Sequence, residues 1–372
     1  MNRDVRWCEK FFWRGVQSSL SRPPFPGRRS GSRFRPLGLT ALLCVALLLT
    51  ALPLSASDPE TKPLAEPAPA AVSPEAEKIF SGGVPKSVED LKAMEDVQRK
   101  LVDKVLASTV NVRLGSAQGS GVITSADGYV LTAAHVSHQP NIHVTVVLPD
   151  GRTLRGLTLG MCRTVDAGLV KIIDDGPWPF VEMGDSAETR VGQWCLATGH
   201  PGGFEKDRKP VVRVGRVLAK NNDVLVTDCA LVGGDSGGPL FDMRGRVIGV
   251  HSRIGQALNE NLHVPVNQYR SSWERLAKGE AWGHLPGQRP YLGVQGDPDS
   301  KVAKIAQVFN ETPAQKAGIK VGDVITKVNG QDIDAFDALT KLVQDRQPGD
   351  KMKLQVQRGE ESIELELVVG KK

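Results

Sequence analysis

A single serine lies between two glycine pairs in the stretch GGDSGGPL, residues 233–240. Glycine permits backbone conformations that other residues resist, so Ser236 can be held in a tight turn with its oxygen exposed and amide hydrogens nearby. A serine hydroxyl is a poor nucleophile until a positioned base removes its proton, and the base works best when an acid fixes its orientation. Ser236 therefore predicts a special histidine and a special aspartate elsewhere in the chain.

His135 is the predicted base, because it alone among the histidines follows a strand-like run that ends in small residues, YVLTAAH. We interpret the other six as surface or structural histidines: His138, His143, His200, His251, His263 and His284. Asp166, at the start of the apolar run DAGLVKI, is the predicted acid, although a lone aspartate there is more often a turn or capping residue. The three residues together predict a Ser-His-Asp hydrolase.

The serine loop also predicts an oxyanion hole. The amide hydrogens of Gly234 and Ser236 would converge on the carbonyl oxygen of a substrate as that oxygen gains negative charge. The nucleophile and the groups that stabilise the oxyanion would thus come from one short segment.

Two kinds of element surround these residues. Apolar residues at steps of three and four follow Ser87, with Asp90 three residues later, and predict a capped amphipathic helix. Short alternating apolar runs, separated by turn pairs such as Asp127-Gly128 and Asp150-Gly151, predict an all-β barrel or sandwich over residues 107 to about 270. The predicted apolar face of the helix consists of Val88, Leu91, Met94, Val97, Leu101 and Val105.

From Tyr291 onward the chain has a different pattern, in which strand-like and helical segments alternate. It begins with the strand-like YLGV, continues with a short helical TPAQKAG and a helix from about Asp334 to Val343, and ends with the hairpin KMKLQVQRGEESIELELVV. These elements predict a small α+β domain.

The N-terminal region indicates export. Residues 1–36 form a basic lead with eight Arg and one Lys against two acids, and residues 37–57 carry no charge. This pattern fits a secretory signal, and the apolar run is also close to the roughly 20 residues of an uncleaved membrane anchor. Both alternatives place the body outside the cytoplasm, and residues 58–78, rich in Pro and Ala, are predicted to be a linker. Because the excess basic charge lies in the lead, no nucleic-acid partner is predicted.

The cysteines after the linker are Cys162, Cys195 and Cys229. They lack the paired spacings of metal sites and disulfide frameworks. One disulfide or three buried thiols are the alternatives, and we favour the thiols.

The segments GSGVITSADGYVLTAAHV, DAGLVKI and GGDSGGPLFDMRGRVIGV, followed by a module with YLGV, resemble the HtrA family. The resemblance covers roughly residues 75–370 and implies a mainly β fold. A chymotrypsin/trypsin-like double β-barrel protease domain, with its preceding helix, would occupy residues 79–276, and a small α+β PDZ domain residues 287–372. The resemblance further implies periplasmic or envelope quality control of unfolded or misfolded polypeptides, trimeric assembly, and neither metal nor cofactor.

Two features depart from the family pattern. Asp235 stands directly before the nucleophile, where the family usually has Asn. An unpaired buried carboxylate is very costly, so we expect Asp235 to find a cation, to face solvent or to bind a partner. In addition, LVGG replaces the usual INPG, which leaves the resting shape of the oxyanion loop open.

The resemblance also suggests binding residues. Ala230, six positions before the nucleophile, would line the S1 pocket and offers no acid to pair with Lys or Arg. Tyr291, Leu292, Gly293 and Val294 would form the carboxylate loop and strand edge that bind C-terminal peptides at the PDZ domain. The helix with Phe336, Leu339 and Leu342 would be the opposite wall, and a docking or spacer domain without ligand is the alternative.

Two functions follow from this sequence. The first is an exported serine endopeptidase. The alternative is a non-enzymatic chaperone or peptide-binding protein on a protease fold. The complete set of His135, Asp166 and Ser236 favours the enzyme, because a binding protein has no physical need of all three groups.

Overall fold

The computed structural model describes residues 72–285 and 287–372. The basic lead, the signal or anchor segment and most of the predicted linker lie outside these ranges. Within them, no helix is both long and apolar enough to cross a membrane.

Two helices precede the barrels. The end of the predicted linker is helical, because Ser73 caps α1 (Pro74–Phe80), which has proline in its first turn. The predicted amphipathic helix is confirmed as α2 (Val88–Ser108), with a capping box between Ser87 and Asp90.

The apolar face of α2 is buried only beyond its first turns. Met94, Leu101 and Val105 are buried, whereas Val88 and Leu91 remain 60% and 53% exposed. The N-terminal end of the predicted apolar face therefore lies at the surface, and the later part of the face packs into the core.

The first barrel has six strands and is closed by pairing between its fifth and sixth strands. A short helix, α3 (Ala134–Ser137), follows the third strand. The strands are β1 (Thr109–Leu114), β2 (Ala117–Ile123), β3 (Tyr129–Ala133), β4 (His143–Val147), β5 (Thr153–Cys162) and β6 (Ala167–Ile172).

The second barrel is also closed and has six strands, in the order β10-β11-β12-β9-β8-β7. Its strands are β7 (Trp194–Gly199), β8 (Val211–Lys220), β9 (Leu225–Thr227), β10 (Pro239–Phe241), β11 (Val247–Ile254) and β12 (Asn261–Pro265). The helices α4 (Val266–Ser271) and α5 (Trp273–Ala277) follow, and β13 (Ala281–Trp282) then pairs in parallel with the fifth strand of the first barrel.

One hydrophobic core connects these parts. It contains Phe80 from α1, Leu101 from α2, Leu131 from β3 and Phe241 from β10. Because the two barrels share this core, residues at their junction have well-defined positions.

The C-terminal domain has its own core around Leu354, Val356 and Leu339. Its elements are β14 (Pro290–Tyr291), β15 (Val294–Gly296), β16 (Ile305–Val308), α6 (Pro313–Lys316), β17 (Val324–Val328), β18 (Gln331–Asp332), α7 (Phe336–Gln344), β19 (Lys351–Arg358), β20 (Glu361–Val368) and β21 (Gly370–Lys371). The predicted C-terminal hairpin is confirmed, with Leu354 opposite Leu365 across β19 and β20.

The C-terminal domain contacts the segment after the second barrel. The Arg275 guanidinium lies 3.1 Å from the Asp345 carboxylate, which follows α7. The Gly283 amide donates to the Asp345 carbonyl at 2.9 Å. Arg275 and Gly283 lie on either side of β13, which pairs with β5 of the first barrel. The two contacts therefore hold the end of α7 close to that barrel.

Candidate active site

The structure brings His135 and Asp166 into direct contact. Strands β3 and β6 pair with Ala133 opposite Ala167, so both residues lie at the same end of this strand pair. Nδ1 of His135 is 3.0 and 2.9 Å from the two Asp166 carboxylate oxygens. The backbone amide of His135 donates to Oδ1 at 3.1 Å. The carboxylate thus fixes both the ring and the backbone of His135.

Asp166 is held by further contacts. Its φ of 65° lies in the left-handed region, which is uncommon for a residue other than glycine. Its carbonyl accepts from the Ala134 amide at 3.0 Å, and Ser252 Oγ donates to Oδ2 at 2.5 Å. No sequence motif marks Ser252, which lies on β11 of the second barrel and reaches Asp166 only because the barrels meet.

Ser236 lies at the same junction. Its carbonyl accepts from the Ser120 amide of β2 at 2.7 Å, so the serine loop of the second barrel is hydrogen-bonded to the first. Gly119 makes this approach sterically feasible. A Cβ at Gly119 would lie 2.8 Å from the Val136 side chain and 2.9 Å from the Ser236 carbonyl. Ser236 is therefore close to α3, which carries His135.

The loop before Ser236 has the backbone shape that glycine favours. Gly234 has a φ of 97°. Within the described residues, the amide hydrogens of Gly234 and Ser236 have no acceptor, whereas the Asp235 amide donates to the Val232 carbonyl at 3.1 Å. Two free donors thus flank Asp235, as an oxyanion hole requires.

Asp235 forms an ion pair with an arginine of the second barrel, Arg213. Its side chain is fully buried, and its Oδ2 lies 3.0 Å from the Arg213 guanidinium on β8. Burial raises the pKa of Asp235, while the Val232 amide and the Arg213 charge act to lower that pKa, and the net shift is upward. Of the three environments expected for Asp235, the cation is the one observed, and no sequence signal singled out Arg213.

The environment of His135 raises its pKa above the ordinary value. Burial lowers the pKa, the hydrogen bond and charge of Asp166 raise it, and the nearby Arg253 lowers it. The side chain is 49% exposed, so a substrate or a hydroxyl can reach its free nitrogen. The ring is therefore suited to accept a proton from a neighbouring hydroxyl.

The other six histidines fall into two groups. His138 and His143 are exposed and His284 is half-buried. His200, His251 and His263 are buried, and burial lowers the pKa of His200 to about 4 and that of His263 to about 3. The pKa of His251 is also lowered, mainly by burial and to a smaller extent by the neighbouring His263. Neutral imidazoles of this kind suit the structural role that we predicted.

The region around the predicted S1 position is partly apolar. Ala230 is exposed, as is Val232, and Cys229 between β9 and Ala230 is buried.

Two of the cysteines lie close together, since the Sγ atoms of Cys195 and Cys229 are 3.9 Å apart. All three cysteines of the described residues are free and buried, so the favoured alternative, buried thiols, is the one observed.

The predicted peptide-binding residues lie at the start of the C-terminal domain. Tyr291 ends β14, Leu292 is buried, Gly293 accepts from the Phe309 amide at 2.9 Å, and Val294 begins β15. Among the described strands, β15 pairs only with β16 and leaves its other edge unpaired. On α7, Leu339 belongs to the core, whereas Phe336 and Leu342 are half-buried.

Comparisons with known proteins agree with this architecture. A family model of the trypsin-like peptidase domain matches residues 119–250, and one of the PDZ domain matches residues 290–369. A probable periplasmic serine endoprotease, DegP-like, from Ectopseudomonas mendocina is 32% identical over 370 residues, covering 89% of this chain and 75% of that protein. The chain belongs to the HtrA family.

Other relatives give the extent of the match. A DegP-like endoprotease from Pseudomonas putida strain F1 is 33% identical over 319 residues, covering 79% of this chain and 65% of that protein. The chain thus spans less than two thirds of the length of this HtrA relative. The crystal structure of a serine endoprotease from Yersinia pestis, at 25% identity and a TM-score of 0.47, covers 78% of this chain and 100% of that one.

The HtrA resemblance predicted from the motifs is confirmed. The predicted fold class is confirmed as well, because two closed six-stranded barrels precede a PDZ domain.

Proposed function

We propose that this HtrA protein is an exported serine endopeptidase that degrades unfolded or misfolded polypeptides. The observation that carries the proposal is the contact of His135 with both carboxylate oxygens of Asp166, next to the loop of Ser236. An arrangement of base and orienting acid beside the half-buried Ser236 supports acyl transfer.

In the proposed mechanism His135 takes the proton of the Ser236 hydroxyl as its oxygen attacks the substrate carbonyl carbon. Asp166 holds the imidazole in the required orientation and stabilises its positive charge. The amides of Gly234 and Ser236 donate to the developing oxyanion. His135 then protonates the leaving amine, and a water molecule releases the acyl group by the reverse sequence.

The first test is the hydrolysis of unfolded casein by the full-length protein. Ser236→Ala should lower turnover by several powers of ten, as removal of a triad nucleophile does. Ser362→Ala, at an exposed position on β20, is the matched control and should retain full turnover. Undiminished proteolysis by a pure, folded Ser236→Ala protein would exclude the proposed mechanism.

We also propose that the protein is active in the periplasm or cell envelope, since the two DegP-like relatives above are named probable periplasmic endoproteases and the N-terminal sequence resembles an export signal. An uncleaved segment at residues 37–57 would anchor the protein to the inner membrane. The family resemblance supports a trimer. N-terminal sequencing of the purified protein and light scattering test these two points.

The PDZ domain is proposed to bind C-terminal peptides along the free edge of β15. An extended peptide can add to such an edge by main-chain hydrogen bonds, and backbone amides of the loop at Leu292 and Gly293 would receive its carboxylate. The half-buried Phe336 and Leu342 on α7 offer apolar contacts to the peptide. The free edge of β15 and the apolar residues beside it favour a binding domain over a spacer domain.

A further inference from the structure

A buried ion pair joins the serine loop to the wall of the second barrel. Nη2 of Arg213 lies 3.0 Å from Oδ2 of Asp235, and Nη1 donates to Oδ1 at 3.3 Å. The Asp235 side chain has no exposed surface, and that of Arg213 is 19% exposed. The contact is bidentate, which is the geometry in which a guanidinium binds a carboxylate most specifically.

Asp235 is also the centre of the hydrogen bonds within its loop. Its Oδ2 accepts from the Val232 amide at 3.0 Å, and its own amide donates to the Val232 carbonyl at 3.1 Å. Its carbonyl accepts from the Gly238 amide at 2.8 Å. The free amide of Ser236 shares its peptide group with the Asp235 carbonyl, and the free amide of Gly234 lies one residue before Asp235, so the position of Asp235 affects the direction of both amides.

Arg213 is fixed by the barrel and not by the loop. It lies on β8 opposite Ala197 of β7, within the six strands of the closed barrel. Arg208, the other cation that influences Asp235, uses its guanidinium to donate to the carbonyls of Pro201 and Gly203, both at 2.6 Å. Arg213 is therefore the direct counter-charge among the described residues.

We propose that Arg213 is a positioning residue, which holds Asp235 in the barrel wall and thereby keeps the amides of Gly234 and Ser236 directed at the oxyanion. The inference rests on the proposed function. Because the family usually has a neutral Asn at this position, the need for a cation is specific to chains with an acid there. Without Arg213, the buried carboxylate would have to leave the core and draw the loop with it.

The test is a double-mutant cycle on the full-length protein with a small chromogenic peptide. Arg213→Met should lower kcat on the order of 100-fold, the effect of losing an oxyanion donor, with little change in KM. Asp235→Asn should restore most of this loss in the Arg213→Met background. Arg216→Met is the matched control, since Arg216 lies three positions along β8 and stacks on Trp194 at 4.4 Å, and it should leave kcat unchanged.

An unchanged kcat in Arg213→Met, or a double variant no better than Arg213→Met, overturns the proposal. If Arg213→Met does not fold, the double variant is compared with Asp235→Asn alone. It is expected to fold and to have a kcat within about tenfold of that variant, because no charge is then left unpaired. A double variant that is inactive or unfolded shows that Arg213 serves another purpose. Ser236-dependent hydrolysis by the unmodified protein tests the proposed function separately.

Discussion

At the residue scale, His135 experiences opposing influences from its neighbours. Burial lowers the pKa of the imidazole, Asp166 raises it, and Arg253, which follows Ser252 on β11, lowers it, with a net upward shift. The neutral ring is the form that can accept a proton, so the pKa of His135 should set the acid limb of the pH–rate profile. If His135 is the base, the charge at Arg253 would therefore adjust the pH range of activity.

We predict that Arg253→Ala moves the acid limb of kcat/KM to higher pH. Removal of a cation that lowers the pKa of His135 raises that pKa further, so a higher pH is needed to obtain the neutral base. Arg99→Ala, which removes the same charge from an exposed position of α2, should leave the profile in place. A limb that stays in place or moves to lower pH in Arg253→Ala would contradict the assignment of His135 as the base.

At the element scale, the segment between β9 and β10 carries the largest share of the proposed chemistry. It contains Ala230, the Asp235 anchor and the nucleophile Ser236. Both substrate selection and oxyanion binding would then depend on the same short loop, which is anchored in the barrel by Arg213.

We predict that this loop selects small or medium apolar residues before the cleaved bond. Ala230 offers a methyl group and no acid, so an apolar side chain gains from burial while a cation finds no partner. Cleavage sites in a denatured protein, mapped by mass spectrometry, should lie mostly after Val, Ala or Leu. A majority after Lys or Arg would refute the prediction.

Local patterns in the sequence predicted several elements well. The capping box predicted the start of α2, and the C-terminal segment predicted the hairpin of β19 and β20. These features depend on residues close in sequence or on the pairing of two adjacent strands, so local sequence patterns are sufficient to predict them.

Other features depend on how distant elements meet. Ser252 and Arg213 lie on strands whose local patterns are those of ordinary barrel strands, and each acquires its partner only when the barrels close and pack. For the same reason the exposure of Val88 and Leu91 on α2 was not predictable, because the helix period gives a face but not the extent of the surface that covers it.

At the scale of the whole molecule, the PDZ domain is connected to the barrels through a short segment and through the contacts of Asp345 with Arg275 and Gly283. A peptide held on β15 would thus remain close to the active site at a high effective concentration. Tethering of this kind lowers KM for substrates that carry the bound terminus. A shift of the oxyanion loop would instead raise kcat for a small peptide substrate.

We predict that a peptide with a free apolar C-terminus binds the full-length protein at least about tenfold more tightly than its C-terminally amidated form, since the amide lacks the charge that strengthens these hydrogen bonds. Fluorescence anisotropy measures both affinities, and the rate on a small substrate in the presence of each peptide measures the coupling. Equal binding of the acid and the amide would show that the loop at Leu292 and Gly293 does not receive a carboxylate.

The central claim is that Ser236 is an activated nucleophile. Labelling of the intact protein with a fluorophosphonate, followed by peptide mapping in the mass spectrometer, tests it most directly. We predict one adduct, on Ser236, whose rate of formation falls as the pH is lowered through the raised pKa of His135. An adduct on another residue, or labelling of Ser236→Ala at the rate of the unmodified protein, would contradict the claim.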